Sequence, residues 1–229
     1  MLIIGHRGAG GYVAENTLAS FSEALRRGVD MVELDVYRCA SGELVVIHDD
    51  TLERTTTGKG QVGEKNLAEL RVLDAGNGQH IPTLKEVIEL IGRRIPINIE
   101  LKGPGTAQPV AQLLAAYFAQ GWQYKDFLVS SFSSEQIDQF RALQPQIAAG
   151  QIFENFSALS LPKLLAQRRM KTVVIDKSMV NARYVAEVHR AGLTLYVYTV
   201  NDTAEIQGLQ NLEVDGVYTD YPPQRIARY

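Results

Sequence analysis

The feature that most constrains the fold is an alternation of short apolar runs with segments of helical period, sustained from end to end but for one irregular stretch. Runs with strand character occupy residues 2–5, 31–37, 44–48, 95–102, 127–130, 147–152, 172–176, 193–200 and 216–219. Between them, apolar residues recur at helical spacing over 17–27, 82–91, 107–120, 134–143, 157–167, 181–191 and 203–209. In the first of these segments Leu18, Phe21 and Leu25 share a face, Asn16 is the expected N-cap and Gly28 the expected stop. Strict β–α order implies a parallel sheet. Eight main strands in 229 residues predict an α/β chain closed as a (β/α)8 TIM barrel, in preference to an open doubly wound sheet. The run at 44–48 is a short extra strand after the Ser41-Gly42 turn. Residues 49–80 break the pattern and are predicted to form a small insertion following strand two, with one short helix around 66–73. A single domain over residues 1–229 is expected.

Bulk properties exclude several function classes. Hydrophobic residues make up 45% and charged residues 21%, which suits a globular core. A net charge of -3 offers a polyanion no bulk attraction, so no nucleic-acid partner is expected and any anion needs a local site. Cys39 is the single cysteine, which rules out an intrachain disulfide and reads as a small buried residue. The apolar start, residues 1–5, is too short for a signal h-region, and no run approaches about 18 apolar residues. A cytoplasmic protein without stable membrane association is expected. The oligomeric state is not legible.

Functional groups of a barrel gather at the C-terminal ends of its strands. His6 follows the first strand, Asp35 lies near the end of the second, and Glu100 and Lys102 end the strand over 95–102. Alternation places Glu33, Asp35 and Tyr37 on one face and Val32, Leu34 and Val36 on the other. Likewise Asn98, Glu100 and Lys102 oppose Ile97, Ile99 and Leu101. A parallel strand buried on both faces should be apolar throughout. The charged inner face therefore demands compensation. A hard divalent cation held by Glu33, Asp35 and Glu100 supplies it; a carboxylate network around Lys102 is the alternative. His6 and His48 can serve as general acid and base, with Asp49 and Asp50 placed to orient His48 or cap its turn. Arg7 offers a planar fork for two phosphate oxygens, or a salt bridge to Glu15 or a barrel carboxylate. His80, in the insertion, and His189, on a helix, are expected to be structural. Two histidines, an Arg, a Lys and a carboxylate-bound cation suit cleavage of a phosphodiester.

A set of ordered runs then carries a resemblance. They are His6-Arg7-Gly8, Glu15-Asn16-Thr17, Glu33-Leu34-Asp35-Val36, and the stretch from His48 through Thr56. Gly58-Lys59-Gly60, Ile81-Pro82-Thr83-Leu84 and Asn98-Ile99-Glu100-Leu101-Lys102 follow. Ser130-Ser131-Phe132, Tyr198-Thr199-Val200-Asn201 and the stretch from Asp215 through Pro222 complete it. Spread from residue 5 to residue 222, the set resembles the glycerophosphodiester phosphodiesterase family of the bacterial cytoplasmic type. The resemblance implies hydrolysis of glycerophosphodiesters to sn-glycerol 3-phosphate and an alcohol such as choline or ethanolamine. It implies Mg²⁺ or Ca²⁺ on Glu33, Asp35 and Glu100, His6 as base and His48 as acid. Arg7 and Lys102 would hold the phosphate, Tyr198 would wall the substrate pocket, and Glu15, Asn16 and Asp49 would support the site. Two positions depart from the family pattern: Ala14 replaces a usual Pro, and Tyr198 a usual Trp, which opens the question of leaving-group preference. Rival readings are a lipid-directed phosphodiesterase or lyase on a related barrel, and a non-catalytic binding barrel.

Overall fold

A computed structural model of the protein describes residues 1–154 and 170–225; the helix expected over 157–167 lies outside them. The strands are β1 (Leu2–Gly5), β2 (Met31–Arg38), β3 (Leu44–Val46), β4 (Ile97–Leu101), β5 (Phe127–Ser131), β6 (Ala148–Phe153), β7 (Thr172–Asp176), β8 (Thr194–Tyr198) and β9 (Gly216–Thr219). The described helices are α1 (Leu18–Arg27), α2 (Leu67–Arg71), α3 (Leu84–Ile91), α4 (Ala107–Phe118), α5 (Ser134–Leu143), α6 (Ala182–Arg190) and α7 (Thr203–Asn211).

Parallel pairing runs in the order β1-β9-β8-β7-β6-β5-β4-β2, and β1 also pairs β2, which closes the sheet. The result is the (β/α)8 TIM barrel expected from the alternation. The remaining strand, β3, pairs β2 antiparallel as a hairpin and stands outside the closed ring. The helix-facing residues Val32, Leu34, Val36, Ile97, Ile99 and Leu101 pack with Phe21, Leu25 and Ile88 in the main core. Inside the barrel a second apolar cluster (Ile4, Met31, Leu128, Ile152, Val174, Tyr196, Tyr218) plugs the interior. A third, containing Val45, Leu52, Val62, Leu70 and Ile81, lies under the 49–80 excursion and buries Cys39.

Local chemistry sets the helix boundaries. Gly28, at φ 73°, ends α1 and donates to Leu25 O, as the sequence suggests. The N-cap is Thr17, however, and not Asn16: Thr17 Oγ1 accepts from Ser20 N at 3.2 Å. Asn16 cannot cap because its backbone is left-handed (φ 57°) and its amide is taken up by Asp35. Similarly, α3 starts at Leu84 and not at Pro82. Thr83 and Glu86 form a reciprocal capping box, while Pro82 O is held by Val46 N beside β3.

Phe21 is fully buried where α1 meets the sheet. Phe21→Ala is expected to cost about 3–5 kcal/mol of stability, the usual range for a buried Phe left as a cavity. Urea unfolding checks this: the midpoint should fall with the slope unchanged.

Candidate active site

Register brings the inner carboxylates together. Glu33 pairs with Asn98 and Asp35 with Glu100 across the β2–β4 ladder, so the inward side chains of the two strands stand side by side. Carboxylate oxygens of Glu33, Asp35 and Glu100 lie within 4.8 Å of one another, and all three residues are buried. Several groups compensate part of this charge. Arg7 N donates to Glu33 Oε2 at 2.9 Å, and Asn16 Nδ2 donates to Asp35 Oδ2 at 2.8 Å. Lys102 Nζ lies 3.2 Å from Glu100 Oε1 and 3.9 Å from Asp35 Oδ1. Arg7 Nε is 3.5 Å from Asp35 Oδ2.

The compensation is incomplete. Glu33 Oε1 and Glu100 Oε1 are buried without a well-formed hydrogen bond, Lys102 Nζ at 3.2 Å offsetting part of the Glu100 charge. Burial, reinforced by the neighbouring Asp35 and Glu100 charges, pushes Glu33 well above the usual carboxylate range. Burial and Asp35 push Glu100 up to about 7, against the opposing pull of Lys102. Three converging oxygen donors, two of them unsatisfied, fit a hard divalent cation, which would relieve both the orphaned oxygens and the mutual repulsion.

Both histidines flank this cluster, each braced from behind. His6, directly after β1, places Nδ1 2.7 Å from Asp220 Oδ1. Asp220 follows β9 and is held by Asn201, whose Nδ2 donates to Asp220 Oδ2 at 2.7 Å and whose Oδ1 accepts from Asp220 N at 2.9 Å. His48 Nδ1 lies 2.5 Å from Asp49 Oδ1, and its Nε2 is 3.1 Å from Lys102 Nζ. Burial, aided by the Arg7 and Lys102 charges, lowers the His48 pKa despite the nearby Asp35 and Asp49 carboxylates. Arg54 donates to Asp49 and to Glu15, and Glu15 also accepts from Arg7 Nη1 at 2.8 Å. A continuous chain of hydrogen bonds therefore runs from His48 through Asp49, Arg54 and Glu15 to Arg7.

His6, Arg7, Glu33, His48, Glu100, Lys102 and Tyr198 all line one cavity of about 250 Å³ at the mouth of the barrel. Asp35 sits behind it at 1% exposure, and Glu15, Asn16 and Asp49 form the supporting layer. Arg7 makes both of the ion pairs foreseen as alternatives to a phosphate contact. His189 pairs with Asp215 at 3.0 Å, and Asp215 accepts from Leu195 N, a structural tie remote from this cavity; His80 is exposed on the insertion. Sequence reasoning missed Asp220, Arg54, Phe132 and Glu154. Asp220 and Glu154 immediately follow strands, and that position alone marks them as candidates.

Comparisons with known proteins identify the family. Residues 6–224 match the model of the Glycerophosphoryl diester phosphodiesterase family. A glycerophosphodiester phosphodiesterase from Bacillus subtilis is 33% identical over 97% of this chain and 84% of its own length. One from Caldanaerobacter subterraneus is 33% identical over 96% of this chain and 94% of its own length. Among solved structures, an Oleispira antarctica phosphodiesterase in complex with the product sn-glycerol 3-phosphate superposes with a TM-score of 0.89 at 33% identity, covering 97% of this chain and 94% of that one. A glycerophosphodiester phosphodiesterase from Agrobacterium tumefaciens gives 0.83 at 31% identity, covering 97% of both chains. The chain belongs to the glycerophosphoryl diester phosphodiesterase family and is an enzyme of that phosphodiesterase class.

Proposed function

We propose that the protein hydrolyses glycerophosphodiesters to sn-glycerol 3-phosphate and an alcohol, by acid–base catalysis with His6 and His48 beside a cation held by Glu33, Asp35 and Glu100. The observation that carries this reading is a cluster of three buried carboxylates, two of which line the same cavity as two braced imidazoles. Mg²⁺ or Ca²⁺ bound there would supply Lewis-acid stabilisation of charge developing on the phosphoryl oxygens. We further propose one domain over residues 1–229, and a cytoplasmic setting, which the buried unpaired Cys39 suits.

Each residue has a distinct task in this scheme. Asp220 engages His6 Nδ1, which leaves Nε2 to take the proton of the attacking oxygen. Asp49 does the same for His48, whose Nε2 faces the Lys102 ammonium. The lowered pKa means that His48 must gain a proton before it can protonate the departing alkoxide, which a phosphate drawing Lys102 away from Nε2 would favour. Arg7 and Lys102 line the cavity beside the carboxylates and would hold the non-bridging phosphate oxygens.

His6→Ala and His48→Ala are each expected to lower kcat on glycerophosphocholine by about 100-fold or more, the range for loss of a general acid or base. Glycerol 3-phosphate release measures this, and near-normal turnover in both variants would overturn the two-histidine scheme. EDTA should abolish the activity and added Mg²⁺ or Ca²⁺ restore it. Glu33→Gln should raise the cation concentration needed for half-restoration.

The raised carboxylates also fix a pH dependence. Without cation, native Glu33 and Glu100 keep protons that the unfolded chain loses near 4.5. Between about 4.5 and 7 the native state thus binds more protons than the unfolded one, and its stability falls as pH rises. Cation replaces those protons, so its affinity should rise with pH over the same window. Calorimetric melting in EDTA and in Mg²⁺ or Ca²⁺ at pH 5 and pH 7.5 tests this: the stabilisation by cation should be larger at pH 7.5.

A further inference from the structure

Arg54 belongs to the 49–80 excursion, yet its guanidinium reaches groups of the barrel mouth. The turn that carries it is anchored on both sides. Leu52 is fully buried, and its carbonyl accepts from Thr56 N at 3.0 Å and from Thr56 Oγ1 at 2.7 Å. Gly60 N donates to Glu53 Oε1 at 2.8 Å. From this fixed turn the Arg54 side chain spans carboxylates of two different loops. Nε and Nη2 donate to Asp49 at 2.5 and 3.0 Å. Nη1 and Nη2 donate to Glu15 Oε2 and Oε1 at 3.0 and 2.8 Å. Every nitrogen of the fork is used.

The two carboxylates lead to different groups of the proposed mechanism. Asp49 Oδ1 is 2.5 Å from His48 Nδ1. Glu15 Oε1 also accepts from Arg7 Nη1 at 2.8 Å. Two guanidiniums thus share Glu15 unequally, Arg54 with two hydrogen bonds and Arg7 with one. Hydrogen bonding from Arg54 is the main cause that holds Asp49 well below the usual carboxylate range. Burial alone would raise Glu15, but the hydrogen bond from Arg54 and the charge of Arg7 reverse this and lower its pKa.

An otherwise bare Glu15 would compete with a phosphate for the Arg7 fork. An Asp49 freed from Arg54 could turn away from the imidazole it orients. We propose that Arg54 is a positioning residue for the diesterase reaction: it orients His48 through Asp49 and, by neutralising Glu15, leaves the Arg7 fork available to the phosphate. Arg54 does not line the cavity, so it acts through these partners and not on the substrate. A lysine could not replace it, because one compact ammonium does not fork across two carboxylates. The inference rests on the diesterase reading above and gives the excursion a task in the reaction.

Steady-state kinetics on glycerophosphocholine with Mg²⁺ or Ca²⁺ test both arms. The Arg54 side chain is 46% exposed, and ion pairs at such exposure add little to stability, so its variants are expected to fold. Arg54→Met should lower kcat by about 10-fold to 100-fold, the range for losing a group that orients a working side chain. Its KM should rise by about threefold to fivefold as Glu15 retains Arg7. Adding Glu15→Gln removes the competing charge, so KM should return towards the wild-type value while kcat stays low. Arg54→Lys, which keeps the charge but not the fork, should fall between Arg54→Met and wild type. In Arg54→Ala, millimolar guanidinium should restore part of kcat, and urea, planar but uncharged, should not. Wild-type kcat and KM in both Arg54→Met and Arg54→Lys would overturn the inference and leave the diesterase reading standing. A KM that ignores Glu15→Gln would overturn the Arg7 arm, and equal responses to guanidinium and urea the Asp49 arm. No turnover of glycerophosphocholine by the wild-type chain would overturn the diesterase reading itself.

Discussion

The placement of Glu33, Asp35 and Glu100 on the inner face of two adjacent parallel strands is the constraint to which the rest of the site answers. Burying one uncompensated carboxylate costs several kcal/mol, and three in contact also repel one another. The chain spends its nearest polar groups on this problem. Arg7 shows how far that goes: its backbone is left-handed at φ 52°, an unfavourable region for a non-glycine residue. That conformation lets the Arg7 N–H reach Glu33 while its guanidinium reaches Asp35 and Glu15. Asn16, at φ 57°, gives up capping α1 to serve Asp35. Gly8 must stay glycine for the same reason, because a Cβ there would meet Ser20 Oγ at 2.5 Å and the Ser20 backbone at 2.7 Å.

The 49–80 excursion serves the same site from the outside. Its small apolar core gives it a fixed shape. Arg54, projecting from that lobe, bridges Asp49 and Glu15. Asp49 thereby stays on His48 Nδ1, and Glu15 stays on Arg7. The excursion accordingly works as a brace that fixes one imidazole relative to the carboxylate cluster. On the other side, Asn201 holds Asp220, and Asp220 holds His6. The two histidines are oriented by unrelated parts of the chain, which allows each to be tuned separately.

What the sequence disclosed and what it hid have physical causes. A strand repeats every two residues, so Glu33-Asp35 and Asn98-Glu100-Lys102 declare their shared faces without any coordinates. Eight such strands with helices between them leave little choice of barrel. Helix caps were less legible, since Asn16 and Thr17 are both good capping residues and only the demand from Asp35 decides between them. Asp220 contacts His6 across 214 positions of sequence, and nothing local to either residue announces that bond. Arg54 is a single charged residue in a loop, a class that is ordinarily solvated; its role follows only from what the folded excursion sets beside it.

Lys102 is where these parts meet. Its ammonium touches His48 Nε2 at 3.1 Å and Glu100 Oε1 at 3.2 Å, approaches Asp35, and lies near the Phe132 ring. An ammonium is a compact charge with three donors that can point in three directions. A guanidinium is planar and presents its donors as a rigid fork, a geometry suited to one carboxylate rather than to partners in several directions. Lysine at this position thus sets the carboxylate cluster and the His48 imidazole against one positive charge, which both share. His48, the carboxylates and the Phe132 ring are far apart in sequence, and one side chain makes them a single electrostatic unit.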